Sequence, residues 1–356
     1  MDKNAGEDVK EICVDARMAT YSGIGTYIRS ILPRLLKAPY KWRLLIDSES
    51  LQKCPELSSF DIIETRAPIY SLKEQMLLPL RIPSCDLFWS PHFNIPLAPT
   101  KARKRLVTIH DVYFLAHADE QPLHKRLYAR LFLKSAVKRS DHVVTISNFS
   151  LSEILKYIGP YGDKITPIHL GVEQRKLDID ASFPIKRYML YVGIFTPRKN
   201  LANLIKALDF LPEDVHLVLV GKESNWDGWK TEMNQHKDRI TVLGRVEAAT
   251  LAQLYNQATL LAHPSFYEGF GLTPLEAMVA DCPALVAETP SLREVCGDAA
   301  VYVNPFYPED IARGILSIWS SREKQEELRL KGRQRARLFD WDSSAEKHLE
   351  VIRKLL

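Results

Sequence analysis

Short apolar runs alternate with stretches in which apolar residues recur every three or four positions. The first series of runs predicts strands at Glu11–Asp15, Arg43–Asp47, Asp61–Glu64, Leu87–Ser90, Leu106–His110 and His142–Ile146. Helical periodicity lies between several of them, at Thr26–Leu36, Leu123–Lys138 and Asn148–Tyr157. A second series contains Tyr188–Gly193, His216–Gly221, Ile240–Leu243, Leu260–His263 and Ala284–Ala287, with a helix over Leu201–Phe210. Strand–helix alternation of this kind implies parallel sheets covered by helices on both faces. The segment Pro160–Lys186, rich in proline, glycine and charge, separates the series and reads as an interdomain linker. Trp341–Leu356 reads as an amphipathic helix with Trp341, Val351 and Leu355 available to pack.

Length agrees with two domains, since 356 residues exceed what a single core usually serves. The expected layout is residues 1–170, residues 171–340 and a C-terminal helix, 341–356, packing back on the first domain. Two doubly wound α/β domains facing each other place ligands in the cleft, at the C-terminal ends of the strands.

Composition narrows the class. The chain is 46% hydrophobic and 26% charged, as expected of a globular protein. No run of about 18 apolar residues is available to span a membrane, and the polar first residues predict no secretory leader. Cys13, Cys54, Cys85, Cys282 and Cys296 are odd in number and never spaced C-x-x-C, which predicts reduced, mostly buried thiols and no zinc site. The net charge of +4 is uneven. Residues 1–170 carry an excess of six positive charges, and residues 171–356 an excess of two negative ones. The first half is the better candidate for an acidic partner. No nucleic-acid motif accompanies it, so nucleic acid is not expected as a partner.

The stretch Glu268-Gly-Phe-Gly-Leu-Thr-Pro-Leu-Glu276 carries the strongest chemical signal. Thr273 suits an N-cap and Pro274 a first helical position. First-turn N–H groups have no intrahelical partner and sit at the positive end of the macrodipole, which favours phosphate. Glu268 and Glu276 can then accept hydroxyl hydrogen bonds on either side, and a phosphate between two polyols is a sugar nucleotide. The same Thr273–Glu276 segment also reads as a capping box. Three further features follow strands. Gly193-Ile-Phe-Thr-Pro-Arg-Lys-Asn200 puts Arg198 and Lys199 where cations can neutralise a diphosphate. Ser22-Gly-Ile-Gly-Thr26 lets a ligand approach the backbone at Gly23 and Gly25, but Ile28 leaves the dinucleotide fingerprint incomplete. His110 ends an apolar strand, either towards the cleft or as a hydrogen-bonded structural residue. Asp178-Ile-Asp180, a literal D-x-D, falls in the charged linker and reads as solvated rather than metal-binding.

Together these residues resemble a family 4 retaining glycosyltransferase of the GT-B fold, in its mannosyltransferase-like branch. The resemblance covers nearly the whole chain and implies an acceptor-binding domain over residues 1–170 and a sugar-nucleotide-binding domain over residues 171–340. It rests on Glu268–Glu276 as the E-x-seven-E element, on Asp15-Ala-Arg-Met with Ser22-Gly-Ile-Gly-Thr-Tyr27, and on Tyr191-Val-Gly193 with Pro197-Arg-Lys-Asn200. Val144–Ser150, His169–Val172 and Leu243-Gly-Arg245 add to it. The resemblance implies that Arg198 and Lys199 hold the donor diphosphate and that Glu268 contacts the transferred hexose. It assigns the loop Gly269, Phe270, Gly271, Leu272 and Thr273 to the sugar and phosphate, and Glu276 to the ribose. His110 is implied beside the transferred sugar, and Gly23 and Gly25 on the diphosphate. His110, Glu268 and Lys199 would thus be the catalytic set. Three positions depart from the pattern. Ile194 and Thr26 replace arginines, and Ala280-Asp-Cys-Pro283 lacks the usual glycine after the helix.

The reaction implied is hexose transfer with retention through an oxocarbenium-like transition state, without a cofactor and without a required metal. The donor expected from the branch is GDP-mannose and the acceptor a glycan or lipid-linked glycan. Arg126, Arg130, Lys134 and Lys138 form a basic stripe, and Lys101, Arg103, Lys104 and Arg105 a second cluster. These suggest a cytoplasmic protein in peripheral contact with an anionic membrane at the membrane's inner face; a solvated helix face gives the same pattern. The competing readings are a UDP-sugar donor, a sugar-nucleotide epimerase, a non-catalytic sugar-nucleotide-binding protein, and a scaffold.

Overall fold

The computed structural model describes residues 9–174, 184–224 and 226–356. Asp178-Ile-Asp180 lies outside them. The chain divides into two compact units, Met1–Gly171 with Trp341–Leu356, and Val172–Asp340.

Unit 1 is built on β1 (Glu11–Asp15), β2 (Lys41–Ile46), β3 (Asp61–Glu64), β4 (Cys85–Ser90), β5 (Ala102–Ile109), β6 (His142–Thr145) and β7 (Ile165–Pro167), in the order β3-β2-β1-β4-β5-β6-β7. All neighbours are parallel. Its helices are α1 (Ile24–Leu35), α2 (Ser48–Gln52), α3 (Leu72–Arg81), α4 (Tyr113–Ala116), α5 (Leu123–Arg139) and α6 (Asn148–Tyr157). The crossovers β3-α3-β4 and β5-α5-β6 run the same way along the sheet, so right-handed connections place α3 and α5 on one face. The segment expected to be a linker is in part sheet: β7 pairs with β6 through Ile165, Thr166 and Pro167. Its proline sits on an edge strand, where a missing N–H costs nothing.

Unit 2 is built on β8 (Met189–Val192), β9 (Leu217–Val220), β10 (Ile240–Gly244), β11 (Leu260–His263), β12 (Ala284–Ala287) and β13 (Ala300–Val303), in the parallel order β10-β9-β8-β11-β12-β13. Its helices are α7 (Leu201–Lys206), α8 (Lys230–Gln235), α9 (Ala248–Gln257), α10 (Leu272–Val279), α11 (Pro290–Cys296), α12 (Pro308–Trp319) and α13 (Arg322–Ala336). β9, β11 and β12 are buried along their full length, which is why they read as continuous apolar runs. Each unit is a Rossmann-like doubly wound domain. The five cysteines are free and buried.

The last helix, α14 (Trp341–Leu355), belongs to unit 1. Trp341, Ala345, His348, Leu349 and Ile352 form its buried stripe. His348 Nδ1 donates to the Ser344 carbonyl at 2.7 Å, so Nε2 accepts from the Tyr27 hydroxyl of α1 at 2.6 Å. This buried bond ties the last helix to the first.

Candidate active site

In an open parallel sheet the strand order reverses at one point, and loops leaving the two strands there diverge to form a crevice. In unit 2 that point lies between β8 and β11. The turn after β8 carries Pro197–Lys199 and the loop after β11 carries Glu268. Asn200 locks the two together. It adopts φ 58°, and its amide donates to the carbonyls of Pro264 at 2.9 Å and Pro305 at 2.7 Å. Phe266 N–H donates to the Arg198 carbonyl at 2.9 Å. Lys199 Nζ then reaches Glu268 Oε1 at 2.5 Å, although 69 residues separate them.

His263, the last residue of β11, completes this cluster. Its Nε2 donates to Glu268 Oε1 at 2.9 Å, with Ser265 Oγ 3.3 Å away. Burial holds the imidazole below its ordinary value, hence neutral at pH 7. The carboxylate fixes the proton on Nε2, and Nδ1 has no partner among the described residues. Burial alone would raise the Glu268 carboxyl; Lys199, His263 and Arg198 outweigh it and hold the group well below the usual range. Glu268 is therefore an ionised, aligned acceptor. The buried hydroxyl of Tyr191 also lacks a partner among the described residues. A Cβ on Gly193 would stand 3.6 Å from that hydroxyl and 3.9 Å from Lys199 Cδ.

The loop into α10 follows a different capping scheme from the one expected. Gly271 caps the helix at φ 135°, a conformation for glycine only, and a Cβ there would meet Leu292 Cδ2 at 2.9 Å. Thr273 and Pro274 sit inside the first turn, and no side chain caps it. Nor does Glu276 close a capping box: its Oε2 accepts from the Tyr255 hydroxyl at 3.0 Å. Burial pushes Glu276 up to about 7 despite that bond. Phe270 turns inward, its ring edge-on to Phe339 at 5.6 Å. At the far end of α10, Asp281 takes the left-handed position left without glycine, at φ 58°, and is bridged by Arg333 at 2.9 Å.

Unit 1 places its candidates by the same rule. Gly23 and Gly25 follow β1, and Gly25 has a structural duty: a Cβ would stand 2.5 Å from the Ala19 carbonyl oxygen. His110 follows β5. Its Nε2 donates to the Pro91 carbonyl at 2.9 Å, its ring meets Tyr27 edge-on at 5.0 Å, and burial pushes it down to about 4. The ring is thus neutral with Nδ1 as the acceptor nitrogen, and its bond to Pro91 agrees with the reading as a hydrogen-bonded structural residue.

Asp15-Ala-Arg17 forms a buried ionic network that the motif alone did not reveal. Arg17 binds Asp15 through Nε at 2.8 Å and Nη2 at 2.6 Å, Glu74 at 2.7 Å, and the Ala67 carbonyl at 2.9 Å. His92 Nε2 lies 3.2 Å from Asp15 Oδ2, and Asn94 links Glu74 to the Tyr128 hydroxyl. Burial opposes ionisation of Asp15, but Arg17 and His92 hold it far below the usual range.

Of the basic features, the α5 stripe is exposed at Arg126, Arg130 and Lys138. The second cluster lies at the start of β5, and two of its cations are paired, Arg103 with Asp86 at 3.2 Å and Lys104 with Asp141 at 3.0 Å. Among the described residues no helix is long and apolar enough to cross a membrane.

The family model described as Glycosyl transferases group 1 matches residues 175–335. The chain is 30% identical to the O-antigen chain mannosyltransferase RfbU of Salmonella typhimurium over 67% of its own length and 66% of that protein's. It is 26% identical to the O-antigen chain mannosyltransferase B of Escherichia coli over 76% and 74%. Among solved structures, Anabaena HepE in complex with UDP-glucose superimposes with a TM-score of 0.77 at 16% identity, over 97% of this chain and 100% of that one. The chain belongs to the group 1 glycosyltransferases, with the two Rossmann-like domains of the GT-B fold.

Proposed function

We propose that the protein transfers mannose from GDP-mannose to a glycan or lipid-linked glycan, with retention of configuration and without a required metal. The observation that carries this reading is the Lys199–Glu268–His263 cluster at the switch point of unit 2. It pairs a cation for phosphate with a pre-aligned carboxylate for sugar hydroxyls. On donor binding Lys199 turns from Glu268 to the diphosphate, joined by Arg198 and the first-turn N–H groups of α10. Glu268, still held by His263, accepts the hexose hydroxyls. Glu276 accepts the ribose hydroxyls in its ionised form. The bond from the anomeric carbon to the phosphate oxygen breaks, the acceptor oxygen bonds that carbon from the same face, and its proton passes to the departing phosphate. His110 Nδ1 serves as an acceptor for the transferred sugar.

The choice of mannose follows the two O-antigen relatives, both mannosyltransferases by name, and the guanine base follows the family resemblance alone. A UDP-sugar donor is the second reading, favoured by the UDP-glucose bound to HepE. Contact with an anionic membrane, and with it a place at the inner face of a cytoplasmic membrane, is supported by apolar stripes on α3 and α5. Leu72, Met76 and Leu80 are exposed on one helix, and Leu123, Leu127 and Leu131 on the other. Lys73, Arg126 and Arg130 lie among them, and such a surface binds lipid by combined apolar burial and charge.

Thermal unfolding against GDP, UDP and ADP, each with and without EDTA, tests the donor. Stabilisation of wild type by GDP, about 2.7 kcal/mol at a hundred times Kd, is expected to vanish in Lys199→Ala and to be indifferent to EDTA. A shift with UDP alone moves the assignment to the second reading. Nucleotide binding without turnover of GDP-mannose, on any acceptor or on water, favours the non-catalytic one.

A further inference from the structure

The hydroxyl of Tyr27 lies at the centre of a buried polar chain whose direction is fixed at both ends. The Ser344 carbonyl can only accept, so His348 Nδ1 carries a proton and donates to it at 2.7 Å. Burial pushes His348 down to about 4, so the ring holds no second proton at pH 7 and Nε2 accepts from the Tyr27 hydroxyl at 2.6 Å. At the other end the Trp89 indole can only donate, to Thr108 Oγ1 at 3.0 Å, and the Thr108 hydroxyl donates in turn to Tyr27 at 3.1 Å. Tyr27, Thr108, Trp89 and His348 are all fully buried.

A phenylalanine at this position would fill the space without burying a hydroxyl, so packing alone does not call for the chain. What the chain fixes is the position of the Tyr27 ring, because a satisfied buried network specifies one arrangement where apolar contacts tolerate several. The ring is boxed by His348 at 5.6 Å, Trp89 at 6.2 Å and Trp341 at 6.4 Å, and it meets His110 edge-on at 5.0 Å and 87°. Of these rings His110 alone is partly exposed. Its main chain is held by Ser150 Oγ, which donates to the His110 carbonyl at 3.0 Å, and its Nε2 by the Pro91 carbonyl. Two such points leave the plane of the imidazole free to tilt, and with it the direction in which Nδ1 points. The Tyr27 ring supplies the third.

We propose that His348 is a positioning residue for the transfer reaction: from the last helix of the chain it holds the Tyr27 ring, and Tyr27 sets the plane of His110 so that Nδ1 meets the sugar at a fixed angle. The inference rests on the glycosyltransferase reading, in which His110 Nδ1 accepts from the transferred sugar. A small misplacement of a group at the reacting centre is felt in the rate more than in binding. The last helix therefore acts on turnover, while donor affinity is set by Lys199, Glu268 and Glu276 of unit 2. Removing the His348 acceptor leaves the Tyr27 phenol a buried donor without a partner, and the ring turns to find another.

Kinetics and histidine NMR on the full chain test it together, with His348→Leu, Tyr27→Phe and His348→Gln, whose amide oxygen can accept from Tyr27. Release of nucleoside diphosphate from GDP-mannose or UDP-glucose by water gives kcat and donor KM. In His348→Leu kcat should fall about tenfold with donor KM unchanged, Tyr27→Phe should move the same way, and His348→Gln should recover most of the rate. Leu349→Ala, which cuts another buried side chain from the same helix, should lower the melting temperature and leave kcat as it is. In ring 15N spectra at pH 7, wild type should show opposite neutral tautomers, with the proton on Nε2 in His110 and on Nδ1 in His348. The His110 signals should shift or broaden in Tyr27→Phe and His348→Leu, although neither change touches a hydrogen bond of His110. Unmoved His110 signals, an unchanged kcat in His348→Leu, or an equal loss of kcat in Leu349→Ala each overturns the positioning role and leaves the transferase reading standing. A wild type that turns over neither donor overturns the transferase reading, and the positioning role with it.

Discussion

Glu276 supplies a prediction in which stability and function pull apart. Its carboxyl rises from an ordinary 4.5 to about 7 because burial disfavours the charge and only the Tyr255 hydroxyl offsets it. A pH unit corresponds to about 1.4 kcal/mol, so the ionised side chain costs the fold about 3 kcal/mol above pH 7. The sign follows from proton linkage. Between pH 4.5 and 7 the folded state binds the proton and the unfolded state does not, so stability falls as pH rises through this window. Below it the cost is absent. Glu276→Gln keeps the shape and an acceptor for Tyr255 but cannot ionise. In thermal unfolding without nucleotide, wild type and Glu276→Gln should nearly coincide at pH 5. They should separate through pH 7, with the variant higher by several degrees at pH 8. With nucleotide at pH 8 the ranking of the ligand-induced shifts should invert, wild type gaining more, because the ribose diol donates to an ionised Glu276. A gap that does not change with pH, or a variant less stable at pH 8, refutes the reasoning. So does an unchanged nucleotide shift in the variant.

Arg17→Ala leaves Asp15 and Glu74 buried without their cation, a loss of about 3–5 kcal/mol; denaturant unfolding of unit 1, read at its buried Trp89, should move to markedly lower denaturant, and a change under about 1 kcal/mol would mean the network is dispensable. His263→Ala frees one side of Glu268 without touching substrate, so kcat with a sugar nucleotide should fall about tenfold or more with little change in donor KM; a pure KM effect would assign His263 to binding instead. Leu127→Ser with Leu131→Ser should abolish flotation with anionic vesicles at low salt while leaving nucleotide-induced stabilisation unchanged, and salt-insensitive or absent flotation of wild type would remove the membrane from the account.

Legibility followed burial. Glu11–Asp15, Asp61–Glu64, Leu260–His263 and Ala284–Ala287 are strands with the bounds their apolar runs suggest. β7 was hidden because Ile165–Pro167 is short, carries proline and lies in a polar stretch; β13, Ala300–Val303, is only four residues long and was passed over although Gly297-Asp298 and Asn304-Pro305 flank it. The helix read over Leu201–Phe210 tightens to a 3-10 turn after Lys206. In the site, Lys199, Glu268 and Glu276 stood out through charge next to glycine and proline. His263 and Tyr191 did not, because inside an apolar run each looks like core. A histidine closing a buried strand five residues before Glu268 was the one available signal.

The sequence by itself determined the alternation of strands and helices, since a strand buried on both faces must be apolar throughout and its crossover helix must show one apolar stripe. It determined the local chemistry of the loops as well, because glycine, proline and charge act on the residues beside them. Only the tertiary structure decided which loops meet. Lys199 reaches Glu268 because β8 and β11 are neighbours in the sheet while β9 and β10 lie to the other side. Asp15, Arg17, Glu74 and Asn94 converge because β1 and β4 are neighbours in the same way. Strand order is set by competition among packings of the whole chain, in which every crossover counts, and no local pattern records its outcome.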